Sequence, residues 1–145
     1  MMKYLLPRRR EDGFTLLELL VVLAILGLLA AIIAPQVLGF LGQGRTKTAK
    51  VQIHYIMTAL DFYKLDVGHY PTQAEGLNAL VAAPANETGW NGPYLKGSNG
   101  GLKDPWGEPY LYKNPGQHGE VDVYSLGSDK AEGGTGEAQD VGSWQ

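Results

Sequence analysis

Apolar and polar positions divide the chain into a long unbroken run, an amphipathic stretch and an irregular remainder. From Phe14 to Ala34, 21 residues carry one charge, Glu18. At about 1.5 Å per residue the run makes a helix of roughly 31 Å, enough to cross a hydrocarbon core. Pro35 follows, with Gly39, Gly42 and Gly44 close behind. Proline lacks an N–H and crowds the preceding turn, so a break or kink is expected there. A bent continuation is preferred to a stop, because the helical period resumes at once. Ala49, Ile53, Ile56, Leu60 and Tyr63 recur at spacings of 4, 3, 4 and 3, one stripe of an amphipathic helix. Lys47, Thr48, Gln52, Thr58 and Asp61 are assigned to the opposite face. The helix should end near Asp66-Val67-Gly68, with glycine as the left-handed stop.

Beyond it, His69-Tyr70-Pro71 turns the chain, and Thr72-Gln73-Ala74-Glu75 has the pattern of a capping box. A short helix to about Ala82 is predicted, packing Leu77, Leu80 and Val81. Residues 84–108 read as loop, with Trp90, Tyr94 and Trp106 as apolar bodies that pin it to the helix. Tyr110-Leu111-Tyr112 and Val121 to Leu126 read as strands by their aromatic and β-branched content. Asn114 to Glu120 would close them into an antiparallel hairpin. The tail from Glu120 to Gln145 holds six acids against one base, Lys130, among many glycines. Such a loop can offer oxygens to a hard cation or be a solvated surface; no EF-hand spacing decides between them.

Composition narrows the classes. In a chain of 145 residues, 45–145 make one soluble domain, large enough for a single core. A net charge of −3 argues against a general nucleic-acid binder. There are no cysteines, hence no disulfide framework and no thiol chemistry. His54, His69 and His118 are scattered, and no nucleophile elbow, phosphate loop or pair of metal-ligating histidines is present, so catalysis is not expected.

Glu18 is the anomaly. A carboxylate at mid-depth in a spanning segment costs about 2.5–3.5 kcal/mol, so it calls for a function and a partner. The stub Met1 to Asp12 carries Lys3, Arg8, Arg9 and Arg10, as a secretory signal peptide would. Against that reading, the apolar run exceeds a signal's usual length and contains the acid. Its terminal Ala30, Ala31 and Ala34 make no small-x-small triplet before Pro35. The alternative is a cut at Gly13 with the helix retained. Glu18 then lies one turn from the new amine of Phe14 and faces the positive end of the helix dipole. Arg45, Lys47 and Lys50 beyond the run leave the positive-inside rule leaning only weakly towards a cytoplasmic N-terminus.

Gly13-Phe14-Thr15-Leu16-Leu17-Glu18 resembles the leader junction of type IV pilins and type II secretion pseudopilins. That resemblance implies cleavage after Gly13 and methylation of Phe14 by a prepilin peptidase, with Glu18 guiding assembly. Tyr63-Lys64-Leu65-Asp66, Tyr70-Pro71-Thr72, Gly76-Leu77 and Lys103-Asp104-Pro105-Trp106-Gly107 resemble the major pseudopilin in particular. Minor pseudopilins and type IV pilins are the nearer alternatives, and a secreted soluble protein the more distant one. The implied fold is α+β: a long N-terminal α-helix packed on a small antiparallel sheet. The implied organisation is a leader over 1–13, a transmembrane and filament-core helix over 14–44 and a periplasmic head over 45–145. In assembled relatives the stretch around the matching proline is extended, and the resemblance implies the same here.

The implied partners are copies of the same chain, minor pseudopilins, the prepilin peptidase, an inner-membrane assembly platform and the membrane. No nucleic acid is implied. Growth of the filament would push folded cargo through an outer-membrane channel. The resemblance also implies calcium in the tail loop, held by the Leu126 and Ala131 carbonyls, Asp129 and Asp140, with Thr135 a weaker oxygen. Two positions depart from the family: Lys130 stands where glycine often follows the first aspartate, and Gln139 where some relatives have an acid.

Overall fold

The computed structural model describes residues 13–96 and 101–145. The expected leader, apart from Gly13, lies outside them, as does 97–100 of the predicted loop. The chain forms two compact units, one running to Leu38 and the other from Gly39 to Gln145.

One helix, α1, runs from Leu16 to Val67, 52 residues. Thr15 caps it: its Oγ1 accepts from the Glu18 amide at 3.2 Å, and its carbonyl accepts from the Leu19 amide at 3.1 Å. Thr15-Leu16-Leu17-Glu18 is therefore a start signal of Thr-x-x-Glu type, a role not assigned to it from the sequence. Pro35 lies inside α1 without ending it. A proline deletes one main-chain hydrogen bond, and the bonds of the turns on either side carry the helix across. In the single chain the stretch around Pro35 is thus helical, not extended. At the far end α1 stops as expected: Gly68 takes φ +95°, and its amide returns to the Lys64 carbonyl at 2.8 Å.

The predicted stripe is the core face. Ala49, Ile53, Ile56, Leu60 and Tyr63 are all buried, joined by Ala59. They pack with Leu77, Ala79, Leu80, Tyr110, Val121, Val123 and Val141 in one hydrophobic cluster. Gln52, assigned to the polar face, is half-buried instead. Its Oε1 accepts from the Tyr110 hydroxyl at 2.6 Å, which lets a buried phenol sit against the helix.

The capping box closes as predicted, but it closes a turn. The Thr72 amide donates to Glu75 Oε2 at 2.7 Å, and the Glu75 amide to Thr72 Oγ1 at 3.3 Å. Gly76 then takes φ +58°, outside the right-handed helical region, so no α-helix can grow from the box. A 3-10 helix over Gly76–Leu80 replaces the expected one, burying Leu77 and Leu80. Trp90 fixes the following loop by donating from Nε1 to the Ala79 carbonyl at 2.7 Å. Tyr94 stands edge-on to both Trp90 and Tyr63, and its hydroxyl donates to Asp66 at 2.9 Å.

The sheet has three strands in the order β1-β2-β3, with β1 at Leu111–Lys113, β2 at Asp122–Ser125 and β3 at Val141–Gly142. Both pairings are antiparallel, with Tyr112 opposite Val123 and Ser125 opposite Val141. The hairpin is the expected one. β3 is not: the sequence pattern predicts loop throughout the tail, and two residues, Val141 and Gly142, carry no periodic signal. What makes them a strand is tertiary, since the buried Val141 completes the core beside Val123.

Asp122, at the start of β2, organises the hairpin loop. Its carboxylate accepts from the Gln117 amide at 2.6 Å and from the His118 amide at 3.1 Å, and His118 Nδ1 lies 3.2 Å away. Burial pushes this carboxyl up, but the Gln117 amide and the His118 ring and amide outweigh it and hold its pKa below the usual range. A depressed folded-state value contributes stability above the unfolded-state value, near pH 4, and loses it as pH falls through the folded-state value. Asp122→Asn should therefore cost about 1–3 kcal/mol at neutral pH. It should also flatten the loss of stability on acidification below about pH 4. Thermal melts of both chains across pH 3 to 7 check this, and parallel pH profiles would contradict it.

Candidate functional site

Two regions carry the candidate residues, one at the start of α1 and one in the tail. At the first, Gly13 and Phe14 precede the helix in irregular, exposed backbone, and Glu18 is exposed in its first turn. Every apolar side chain from Phe14 to Leu41 that is large enough to matter for a core is exposed, Phe14 to 84%. Among the described residues α1 is the one helix long and apolar enough to cross a membrane. A peptidase could thus reach Gly13-Phe14, and a lipid or protein environment is needed to cover the apolar run behind it.

The tail loop starts where β2 ends. Leu126 leads into a 3-10 turn over Gly127–Asp129, and a second such turn spans Gly136–Ala138 before β3. Gly127 takes φ +71° and lies so close to the second turn that a Cβ would stand 2.6 Å from the Glu137 carbonyl and 2.9 Å from that of Gln139. Only glycine meets both demands, and through it the two ends of the loop meet. The Asp140 amide donates to the Gly133 carbonyl at 3.2 Å, closing the loop from within.

The expected ligands divide unequally. Leu126 and Asp140 are half-buried at the two ends of the loop, whereas Asp129, Ala131 and Thr135 are exposed. Asp129 Oδ1 accepts from the Ala131 amide at 3.1 Å, and Asp140 Oδ2 from the Gly133 amide at 2.9 Å. Asp140 Oδ1 is buried with no hydrogen-bond partner among the described residues. A buried carboxylate oxygen left unpaired is costly, and a cation or a water would satisfy it. No group of three His, Cys, Asp or Glu side chains able to hold a metal is found among the described residues. The donors expected from the sequence, two carboxylates and several neutral oxygens, are chemically a hard set of the kind that calcium takes.

Several residues that shape this region are not among the expected ligands. Asp104 is buried beneath the loop: Oδ1 accepts from the amides of Trp106 and Glu108 at 3.0 and 2.9 Å, and Oδ2 from the Ser125 hydroxyl at 2.5 Å. Ser125 Oγ in turn accepts from the Gly127 amide at 3.1 Å, which ties the Lys103–Pro109 turn to the start of the loop. The aspartate-proline order with glycine three places after the aspartate is a turn signature that could have revealed it. Glu137 reaches α1: its carboxylate fills the place that a side chain at Gly42 would take, 3.5 Å from Arg45, and Trp106 Nε1 donates to it at 3.4 Å. Trp106, expected to pin its loop to the helix, does so through this tail residue.

Residues 36–144 match the family described as type II secretion system protein G, and residues 8–34 match the prokaryotic N-terminal methylation motif. The type II secretion system core protein G of Pseudomonas aeruginosa is 46% identical over 143 residues, covering 96% of this chain and 99% of the relative. That of Vibrio cholerae is 45% identical over 139 residues, covering 94% and 93%. The crystal structure of the major pseudopilin from the type 2 secretion system of enterohaemorrhagic Escherichia coli superposes with a TM-score of 0.63 at 29% identity. It covers 73% of this chain and 87% of that one. The long helix with its small antiparallel sheet is the fold of a major pseudopilin, and the chain belongs to the type II secretion system protein G family.

Proposed function

We propose that this chain is the shaft subunit of a type II secretion pseudopilus. A prepilin peptidase cuts it after Gly13 and methylates Phe14. The apolar part of α1, taken as 14–44, anchors the subunit in the inner membrane and later packs in the filament core, while the head, 45–145, faces the periplasm. An inner-membrane assembly platform adds copies one by one, together with minor pseudopilins, and growth drives cargo across the outer membrane. The role is structural and asks for no catalytic group.

The observation that supports polymerisation most is the outer face of α1. Val51, Tyr55, Phe62 and Leu65 are each more than half exposed, and with Thr58 they follow spacings of 4, 3, 4 and 3. The sequence pattern assigns only polar residues to that face. It is a second apolar stripe, continuing along the same helix as the exposed run from Phe14 to Leu41. Fresh apolar surface of this extent asks for a partner, and other copies of α1 supply one with the same period. Phe62→Glu should leave the head folded, because the side chain points away from the core. It should reduce filament yield about tenfold or more, since a charge would be buried without a counter-ion. Electron microscopy of sheared filaments with a melt of the subunit checks both, and full filament yield would contradict the assignment of this face.

Calcium in the tail loop belongs to the same proposal. Leu126 and Ala131 carbonyls, Asp129 and Asp140 would hold it, with Thr135 as a further oxygen. The unpaired Asp140 Oδ1 is the feature of the fold that supports it. When bound, such an ion neutralises the carboxylates and joins both ends of the loop. Lys130 and Gln139 leave the site with one positive charge nearby and one acid fewer than some relatives.

A further inference from the structure

Lys130 is the one non-glycine residue with positive φ among the described residues, at φ 58° and ψ 27°. Glycine reaches that conformation freely, whereas a side chain resists it. Lys130 takes it as the cap of the first 3-10 turn, and a contact of its side chain can offset that cost. Its Nζ lies 2.5 Å from Glu108 Oε1. Glu108 is itself fixed, since its amide donates to Asp104, which is locked to Ser125 in β2. The stem of Lys130 borders a small cleft of about 100 Å³ whose other walls include Asp104, Leu126 and Gly127.

We propose that Lys130 is a built-in cation for the tail loop: its ammonium ties the first 3-10 turn to Glu108 and keeps the loop in place when no metal ion is bound. The loop then has a protein-made tether near each end, Lys130 on Glu108 and Glu137 on Arg45. A chain with glycine at this position has no such link. The inference extends the metal reading of the same loop, but the tether acts in the ion-free state and can be tested there.

The test uses the full chain in detergent micelles with excess chelator, following hydrogen exchange by mass spectrometry. Four chains are compared: the parent, Lys130→Gln, Glu108→Gln and the double variant. Glutamine at 130 keeps the stem and the strained backbone while removing the charge. Each single variant should speed exchange across 127–138 about two- to fivefold, the range of an exposed ion pair. The double variant should be no faster than either single one, because both remove the same link. Exchange in β2 should stay unchanged in all four, which separates loop release from general unfolding. Single variants that exchange like the parent, or a double variant whose effect is the product of the two, would overturn the tether. Adding calcium should close the gap between parent and variants. If calcium slows nothing even in the parent, the metal reading falls, and the comparison in chelator still decides the role of Lys130.

Discussion

Glu18→Leu is expected to enter the membrane as readily as the parent chain and yet to lower filament yield at least about tenfold. Insertion is unimpaired, because a charge inside the span carries a cost that leucine does not, although Glu18 in the first turn bears only part of the mid-depth figure of about 2.5–3.5 kcal/mol. Under the proposed function assembly becomes harder, because the amine of a processed Phe14 on the same or a neighbouring subunit would lose its counter-charge. An unpaired charge in a low-dielectric core is far more costly than the pair. The structure adds a rival role for this acid, since Glu18 is also the third helical residue after the Thr15 cap. Thr15→Ala separates the two. Losing a cap weakens the helix start by about 1 kcal/mol and leaves the carboxylate in place. If charge pairing is the role, Thr15→Ala should assemble well where Glu18→Leu does not. Equal defects in both would assign Glu18 to helix capping, and normal filaments from Glu18→Leu would make the acid dispensable.

The second large effect is expected from calcium, if the proposed tail site holds it. An ion bound only by the folded loop stabilises the head by about 2.7 kcal/mol at a hundredfold excess over its Kd. For a head of this size that is a rise on the order of 10 °C in melting temperature over the chelated protein. Magnesium should give less, because it holds its water and tolerates irregular cages poorly. Asp140→Ala should remove most of the shift, as should Asp129→Ala. The two differ in their effect on the ion-free loop. Asp140 also holds the Gly133 amide, so its loss should lower the chelated melting point too, whereas Asp129 is exposed and should lower it less. Glu75→Ala, in the capping box, should keep the full calcium response. If all three substitutions act alike and sodium chloride mimics calcium, the loop is an acidic surface without a metal.

Residues that report their own period are legible in the sequence alone. The core stripe from Ala49 to Tyr63 repeats with the helix, and the hairpin strands carry their own β-branched and aromatic content, so both elements follow from local pattern. The second stripe, Val51 to Leu65, has the same period but is masked by the charged and polar residues between its members. The short helix after Thr72-Gln73-Ala74-Glu75 fails for a local reason of the opposite kind. The box is correct, but the glycine after it takes a left-handed conformation that no capping pattern announces. β3 and the Asp104–Ser125 bond are out of reach, because a two-residue strand in one case and partners 21 residues apart in the other are set by packing. In the tail, the sequence names candidate oxygens but not which of them are already hydrogen-bonded. That Asp140 keeps one oxygen unpaired among the described residues, and that Lys130 is turned to Glu108, are properties of the folded loop alone.

In the proposed function α1 is kept whole and the chain is cut just before it. The intact mass of the protein purified from its native membrane tests that directly. One species is expected, beginning at Phe14 and carrying a single methyl group in place of one amine hydrogen. A species beginning beyond Ala31, released from the membrane, would contradict it and make the apolar run an ordinary export signal.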